Sequence, residues 1–344
     1  LVIRKTWKWV FYMSIIKHKK IKLYSFGAKI NNNQSNITFF DCHCIPHLID
    51  TLKTKGYEIE WLNLSGDGSF TYNNDCNVLI NQGSFNIFEF EDKTFKTWDC
   101  GDHPSLSLKL CKSKNFIGAA IGQYNKQLWD DNIKIKILRD NIKPGVHTEL
   151  HWQFGDNNYK DIYLYRNQIK LDERLLWRGS LYEDRPDINE FKGRQFIIKL
   201  KEKLKEKFIF GYFRIPFDEY IKESINYKLV LCSGVGGGYS CGDYCFRDAD
   251  MYALGIPTIR PKYAIETYIP LIPDYHYISV DPEFDESFKY KNHDKIADKI
   301  IKRYNETIND DEYLKYIANN ARKWYNDSIV YPNIIENIIK SLDL

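Results

Sequence analysis

Residues 232–262, CSGVGGGYSCGDYCFRDADMYALGIPTIRPK, hold the densest set of anion-binding groups in the chain. An apolar run at 228–232 enters a loop with glycine at 234, 236, 237 and 238. The spacing then predicts a helix over 244–254, a Gly-Ile-Pro break and a second short apolar run at 258–259. Strand, glycine-rich loop, helix and strand in that order form the unit that α/β proteins use for phosphorylated ligands. Gly236, Gly237, Gly238 and Ser240 offer backbone N–H groups and a hydroxyl. Arg247 falls in the first helical turn, where the helix dipole already favours negative charge. Two common loops do not fit. A G-x-G-x-x-G fingerprint begun at Gly234 ends on Tyr239, and the basic Arg260 and Lys262 follow where a dinucleotide site carries an acid. No Gly-Lys-Ser/Thr occurs, which excludes a Walker A loop. A plain surface loop is the competing reading of the glycines, and Arg247, Ser240 and Gly242 turn the balance towards phosphate.

Two more clusters carry acid–base groups. Asp41-Cys42-His43-Cys44 is expected directly after a strand, and Asp99-Cys100-Gly101-Asp102-His103-Pro104 after another. Asp41, His43, Cys44 and His47 contain metal-ligating types, but strand alternation points neighbours apart, and no second ligand cluster is evident. Capping of the next helix is the commoner task for such an aspartate. In the second cluster Gly101 and Pro104 form a tight turn that presents Asp102 and His103, although a simple turn uses the same residues. No metal site is expected.

These groups need elements to hold them. The first half alternates strand and helix: 36–40, a helix over 45–55, then 57–62, with strands at 77–80, 85–91, 94–99 and 115–121 and a short helix at 104–111. Residues 134–139 read as a strand or an extended arm. The Pro- and Gly-containing stretch 143–172 places a domain boundary near 171–174, giving domains 1–172 and 173–344. The second half starts with a strand at 175–177 and a long lysine-rich helix over 188–207. A strand at 208–212 and a helix at 217–224 follow, the latter starting after Pro216. Beyond the glycine unit come a strand at 276–280 and helices at 293–307, 310–326 and 331–341. His276 and Tyr277 are read as structural.

Composition narrows the classes. The chain has 344 residues, 43% hydrophobic, with 25 Tyr and 20 Phe, enough for two ordinary cores. A net charge of +3 without a long basic stripe does not indicate nucleic-acid binding, and the Lys17–Lys22 cluster is read as solvated surface. Eight cysteines without a CxxC pair favour free thiols in a reducing, cytoplasmic setting, while an oxidising one would allow Cys241 to pair with Cys245. The first twenty residues are too short and too charged for a transmembrane span or a signal-peptide core, and Met13 is a candidate initiator.

The segment CFRDADMYALGIPTIRP resembles the donor-site helix of GT-B-fold glycosyltransferases, in which an Arg or Glu opens a helix ending in Ala-x-Gly-x-Pro. LLWRGS (175–180) and YIPLIPDYHYISVD (268–281) are similar to segments of the protein O-glucosyltransferase and capsule-xylosyltransferase family, and the three pieces occur in that family's order. The resemblance implies an α/β GT-B fold, two Rossmann-like domains facing across a cleft, with the last helix packing back on the first domain. It implies transfer of a sugar from a nucleotide-sugar donor, UDP-linked, to a hydroxyl of a glycan or protein, without a cofactor or metal and with inversion. Arg178 and Arg247, with the glycine loop, are assigned to the donor diphosphate. There, fixed guanidinium and N–H donors stabilise the leaving charge, whereas an ordinary strand-end ion pair is the plainer task for Arg178. Arg260, Lys262, Tyr263 and Glu266 fall where the base, ribose or sugar would lie, although surface charge is the commoner fate of Arg260 and Lys262. Asp248-x-Asp250 matches a metal-binding D-x-D only superficially, because i and i+2 side chains diverge on a helix. Asp102 is the preferred catalytic base, with His103 and Asp41 beside it as candidates. A GT-B-type sugar-nucleotide epimerase, consuming donor without acceptor, and a non-catalytic nucleotide- or glycan-binding protein of the same fold are the rival readings.

Overall fold

The structure, a computed structural model, describes residues 19–26, 44–64, 69–72, 78–81, 87–90, 95–99, 116–121, 142–145, 160–179, 181, 193–211, 215, 217–234, 242, 244–286 and 289–344. The chain is α/β, with two parallel sheets. The first contains β1 (Lys19–Phe26), β2 (Tyr57–Leu64), β4 (Val78–Asn81), β6 (Phe95–Asp99), β7 (Phe116–Ile121) and β8 (Ile142–Pro144), in the order β2-β1-β4-β6-β7-β8. Between β1 and β2 runs α1 (Cys44–Thr54). A separate parallel pair joins β3 (Ser69–Tyr72) to β5 (Ile87–Phe90).

β1 corrects the sequence reading. The lysine cluster taken as solvated surface supplies the start of a strand paired on both sides, Lys19–Phe26 against β2 and Leu23–Phe26 against β4. Lysines alternating with Ile21 and Leu23 have the period of a strand, and their charge hid it. The βαβ unit therefore opens on β1, and the expected strand at 36–40 lies outside the described residues, as do the expected elements at 104–111 and 134–139.

The second sheet contains β9 (Asp172–Arg178), β10 (Phe208–Gly211), β11 (Tyr227–Leu231), β12 (Thr258–Pro261) and β13 (Ile278–Val280), in the order β10-β9-β11-β12-β13. Parallel strands covered on both faces read as continuous apolar runs rather than alternating ones, and LLW and LVLC are such runs. Leu175, Trp177, Leu229, Leu231 and Ile259 join one core with α3 (Gln195–Leu204) and α6 (His293–Thr307). Leu176, Val230 and Cys232 join a second core with α4 (Phe217–Ser224), α5 (Phe246–Leu254) and α7 (Asp311–Ser328). Full burial of one such Leu or Ile side chain contributes about 1.5–3 kcal/mol, so both faces fix the register of β9 and β11. β14 (Glu283–Phe284) and β15 (Tyr290–Lys291) form a small antiparallel pair after β13.

Other departures are local. The helix expected over 188–207 begins at Gln195, after Gly193 with φ 62°, and tightens into a 3-10 turn at Lys205–Lys207. Within the stretch read as a linker, Lys160–Arg166 forms α2. It docks on C-terminal elements: Arg166 donates to the Tyr227 carbonyl at 2.9 Å, and the Tyr163 hydroxyl bonds Asn319 at 2.8 Å. The last helix, α8 (Asn333–Ser341), buries Ile334, Ile335, Ile338 and Ile339. Beside it Lys55, just past α1, pairs with Glu336 at 3.0 Å, and His47 lies 4.9 Å from the Tyr331 ring. Tyr268 also donates its backbone N–H to the Gly145 carbonyl at 3.2 Å, tying the segment after β12 to the end of β8.

Candidate functional site

In the second sheet β10 lies on one side of β9 and β11 on the other, so the strand order reverses between β9 and β11. Ligands of open parallel sheets bind outside the carboxyl ends of the strands at such a reversal. Here those ends carry Arg178, closing β9, and Ser233-Gly234, leading from β11 into the glycine loop.

Register sets Arg178. It pairs with Gly211 across β9 and β10, and the Gly179 N–H continues the ladder to the Gly211 carbonyl at 3.1 Å. A methyl group at 211 would lie 1.6 Å from Arg178 Nη1, so the guanidinium lies flat over the end of β10 only because residue 211 has no side chain. From there Arg178 forms an ion pair with Glu223 in the last turn of α4. That is the strand-end pairing set against a diphosphate role. Both side chains are mostly buried, at 16% and 24% exposure, with an edge left open to solvent.

The loop is closed at its neck. Gly234 (φ 63°) and Gly242 (φ 80°) both occupy the left-handed region, where an L side chain is strained. The Gly242 N–H donates to the Gly234 carbonyl at 2.7 Å, and the Gly242 carbonyl accepts from Ala264 at 2.9 Å. The Tyr290 hydroxyl lies 3.0 Å from the Gly242 N and 3.3 Å from the Ser233 carbonyl oxygen. Gly234 and Gly242 are thus held together, and Gly236, Gly237, Gly238 and Ser240 between them lie outside the described residues.

Helix α5 starts under this neck. Cys245 is its N-cap, with its N–H donating to Asp248 Oδ2 at 3.0 Å and its thiol to the same oxygen at 3.2 Å. Asp248 also forms an ion pair with Arg260, its Oδ2 2.6 Å from Nη1, with both side chains fully buried. Arg260 donates its Nε–H to the Pro261 carbonyl at 3.0 Å and stacks 3.3 Å from the centre of the Tyr263 ring. Burial works against the charge on Arg260, and the Asp248 carboxylate outweighs it, so the guanidinium is held protonated. This corrects the reading of Arg260. Arg260 lies within β12, not after it, and is neither a cleft-facing ligand group nor a surface charge, because its charge is cancelled from inside. Asp248 is a cap and a counter-ion at the amino end of the helix; among the described residues no group of three or more His, Cys, Asp and Glu that could hold a metal occurs.

Arg247 begins the same helix and is 6% exposed, with Cys245, Tyr220, Cys232, Asp248 and Asp250 around it. Burial pushes the Asp250 carboxyl up, Arg247 opposing, and pushes the Cys245 thiol up to about 12. Cys241, the candidate partner of Cys245, lies outside the described residues, and Cys245 and Cys232 are free and buried. Their thiols are inert fillers under the loop rather than nucleophiles.

The remaining candidates are dispersed. Lys262 is 38% exposed and pairs with Asp281 at 2.6 Å, a surface bridge. Tyr263 is half-buried, its hydroxyl 2.9 Å from that of Tyr252. Glu266 is exposed. Asp41, Asp102 and His103 lie outside the described residues. His276 is structural: its Nδ1 accepts the Ile272 N–H at 2.8 Å, and burial lowers its pKa to about 4. In the motif around it, Asp274 (φ 57°) accepts from the Ser279 N–H at 3.1 Å and from Arg303 at 2.9 Å, shaping the turn into β13.

Sequence reasoning missed Glu223, Gly211 and Tyr290. Glu223 stands 45 positions from its partner, and only the β9–β10 register with the return of α4 brings the two together. Tyr290, on a two-residue strand, had no period to mark it.

No family model matches this chain, and no curated protein does. Among solved structures, an alpha-glucosyltransferase in complex with UDP-glucose and abasic-site DNA superposes with a TM-score of 0.46 at 10% identity, over 94% of this chain and 99% of that one. Anabaena Alr3699/HepE in complex with UDP and glucose gives the same TM-score, identity and coverage. The C-terminal domain of a group 1 family glycosyl transferase (LpcC) from Francisella tularensis covers 54% of this chain and all of its own, with 16% identity and a TM-score of 0.31.

Proposed function

We propose that the protein is a GT-B-fold glycosyltransferase. It moves a sugar from a nucleotide-sugar, UDP-linked, to a hydroxyl of a glycan or protein, and works without a metal. The observation that carries this reading is that the strand-order reversal of the second sheet is flanked by Arg178, closing β9, and by the Gly234–Gly242 neck after β11, which leads to the amino end of α5. Loop N–H groups and a guanidinium at one crevice supply fixed positive ends for the charge that builds on a departing diphosphate. In this reading the loop N–H groups and Arg178 hold the diphosphate, Arg178 exchanging Glu223 for phosphate oxygens. Arg247 and the Asp248–Arg260 pair act from beneath by holding the helix end and the loop neck in place. Asp102, His103 or Asp41 supplies the base that takes the acceptor proton, and attack from the opposite face inverts the anomeric carbon. The near-balanced charge of +3 supports a glycan or protein acceptor over a nucleic acid. Among the described residues no helix is long and apolar enough to cross a membrane.

The test is a thermal-shift screen against UDP-, GDP- and dTDP-sugars, followed by incubation of the best donor with and without a glycan acceptor mixture. The expected result is stabilisation by a UDP-sugar, through mass action on the folded state, and acceptor-dependent release of UDP. Donor conversion to an isomeric nucleotide-sugar without acceptor would replace the reading with an epimerase. Binding without turnover on any acceptor would replace it with a binding protein.

A further inference from the structure

The opposite end of the second sheet holds a cavity of about 640 Å³, between α2, the amino ends of β9 and β11, the end of α5 and the start of α7. Arg166, the last residue of α2, lines it and is 6% exposed. A guanidinium has five N–H donors. Nη2 gives its bonds to the carbonyls of Tyr227 at 2.9 Å and Lys228 at 3.3 Å, while the buried Nε has no partner. Among the described residues no carboxylate pairs with it. The two acids on the wall are both taken by Lys228, which lies 3.1 Å from Glu173 and 2.9 Å from Asp311. Lys170 and Lys315 are the remaining charged groups of the lining, both exposed. The wall therefore carries four basic groups against two acidic ones, which share the single charge of Lys228, and the lining is net positive.

We propose that this cavity binds a small organic anion, a molecule bearing a phosphate or carboxylate that seats on Arg166 with Lys170 and Lys315 at the rim. A buried charge is strongly disfavoured unless a counter-charge meets it, and carbonyl oxygens supply only partial charge. Burial accordingly lowers the Arg166 pKa to about 10, the reverse of what happens at Arg260, where a carboxylate is present. Leu314 and Pro257 give the cavity an apolar wall, room for more than an inorganic ion. Arg166 is bonded to the two residues that open β11, so an occupant would bear on the strand whose far end feeds the glycine loop. The site is separate from the carboxyl-end crevice and does not depend on what binds there.

The experiment titrates the whole protein with inorganic phosphate and with citrate, against potassium chloride at equal ionic strength, following thermal unfolding and isothermal calorimetry. The expected result is saturable binding that Arg166→Gln weakens about tenfold or more. Lys315→Ala, at an exposed position, should weaken it roughly two- to fivefold, and Arg178→Ala should leave it unchanged. Equal binding by wild type and Arg166→Gln, or no response beyond that to chloride, overturns the proposal. So does loss of binding in Arg178→Ala alone, which places the anion in the other crevice. If Arg166→Gln fails to fold, crystals of the wild type soaked in selenate decide: an anomalous peak within hydrogen-bonding distance of Arg166 supports the site, and an empty cavity refutes it.

Discussion

The two ends of the second sheet treat buried arginine in opposite ways. At the carboxyl end Arg178 and Arg260 each meet a carboxylate, Glu223 and Asp248. At the amino end Arg166 meets two backbone carbonyls and a cavity. A paired arginine keeps its site stable when empty, and it binds an incoming phosphate only by exchanging partners. Of the carboxyl-end pairs, Arg178–Glu223 retains an exposed edge and can exchange, whereas Arg260–Asp248 is sealed and cannot. Burial and partner together therefore separate an arginine that holds the scaffold from one that can meet a ligand.

The largest test of that division is Asp248→Ala. Removing one member of a sealed pair strands the other charge and should cost about 3–5 kcal/mol; loss of the α5 cap adds to this. Urea unfolding would show it as a large fall in midpoint. A change below 1 kcal/mol would mean that Arg260 does not depend on Asp248. Next is Gly234→Ala. A left-handed alanine costs about 1–2 kcal/mol, and its methyl would lie 2.6 Å from Arg260 Nη2 and 2.7 Å from the Tyr290 hydroxyl. Lower stability and weaker UDP binding should appear together, because the neck joins scaffold to loop. Tyr290→Phe removes the hydroxyl at that neck and should cost about 1 kcal/mol, with the loop more readily cleaved by protease.

A further expected effect is a pH dependence from His276. Its folded pKa, about 4, lies below the ordinary 6.5 because burial opposes the charged ring. The unfolded chain therefore binds the proton more readily, and stability should fall as pH drops from about 6.5 towards 4. His276→Gln should flatten that slope in unfolding midpoints measured across the window. An unchanged slope would assign the pH dependence to the carboxylates.

Much of the second sheet was legible because its strands are apolar on both faces and its helices repeat every three to four residues. The helices 217–224 and 293–307 fell on their observed spans for that reason. β1 was not legible, because lysines occupy three of its first four positions and suggested a surface. The crevice was partly legible. Glycines at a loop neck and an arginine at a helix start are local signals. The Arg178–Glu223 and Arg260–Asp248 pairs depend on strand order and register, which no single segment encodes, and the same holds for Arg166.

The most direct test of the donor crevice is calorimetry with UDP on three proteins: wild type, Arg178→Ala and Glu223→Gln. A charge-assisted contact to diphosphate contributes about 1.5–3 kcal/mol, so Arg178→Ala should weaken UDP binding roughly 10- to 100-fold. Glu223→Gln removes the competing carboxylate and should leave binding equal or tighter. Equal affinity for UDP in wild type and Arg178→Ala would contradict the assignment and reduce Arg178 to a strand-end ion pair.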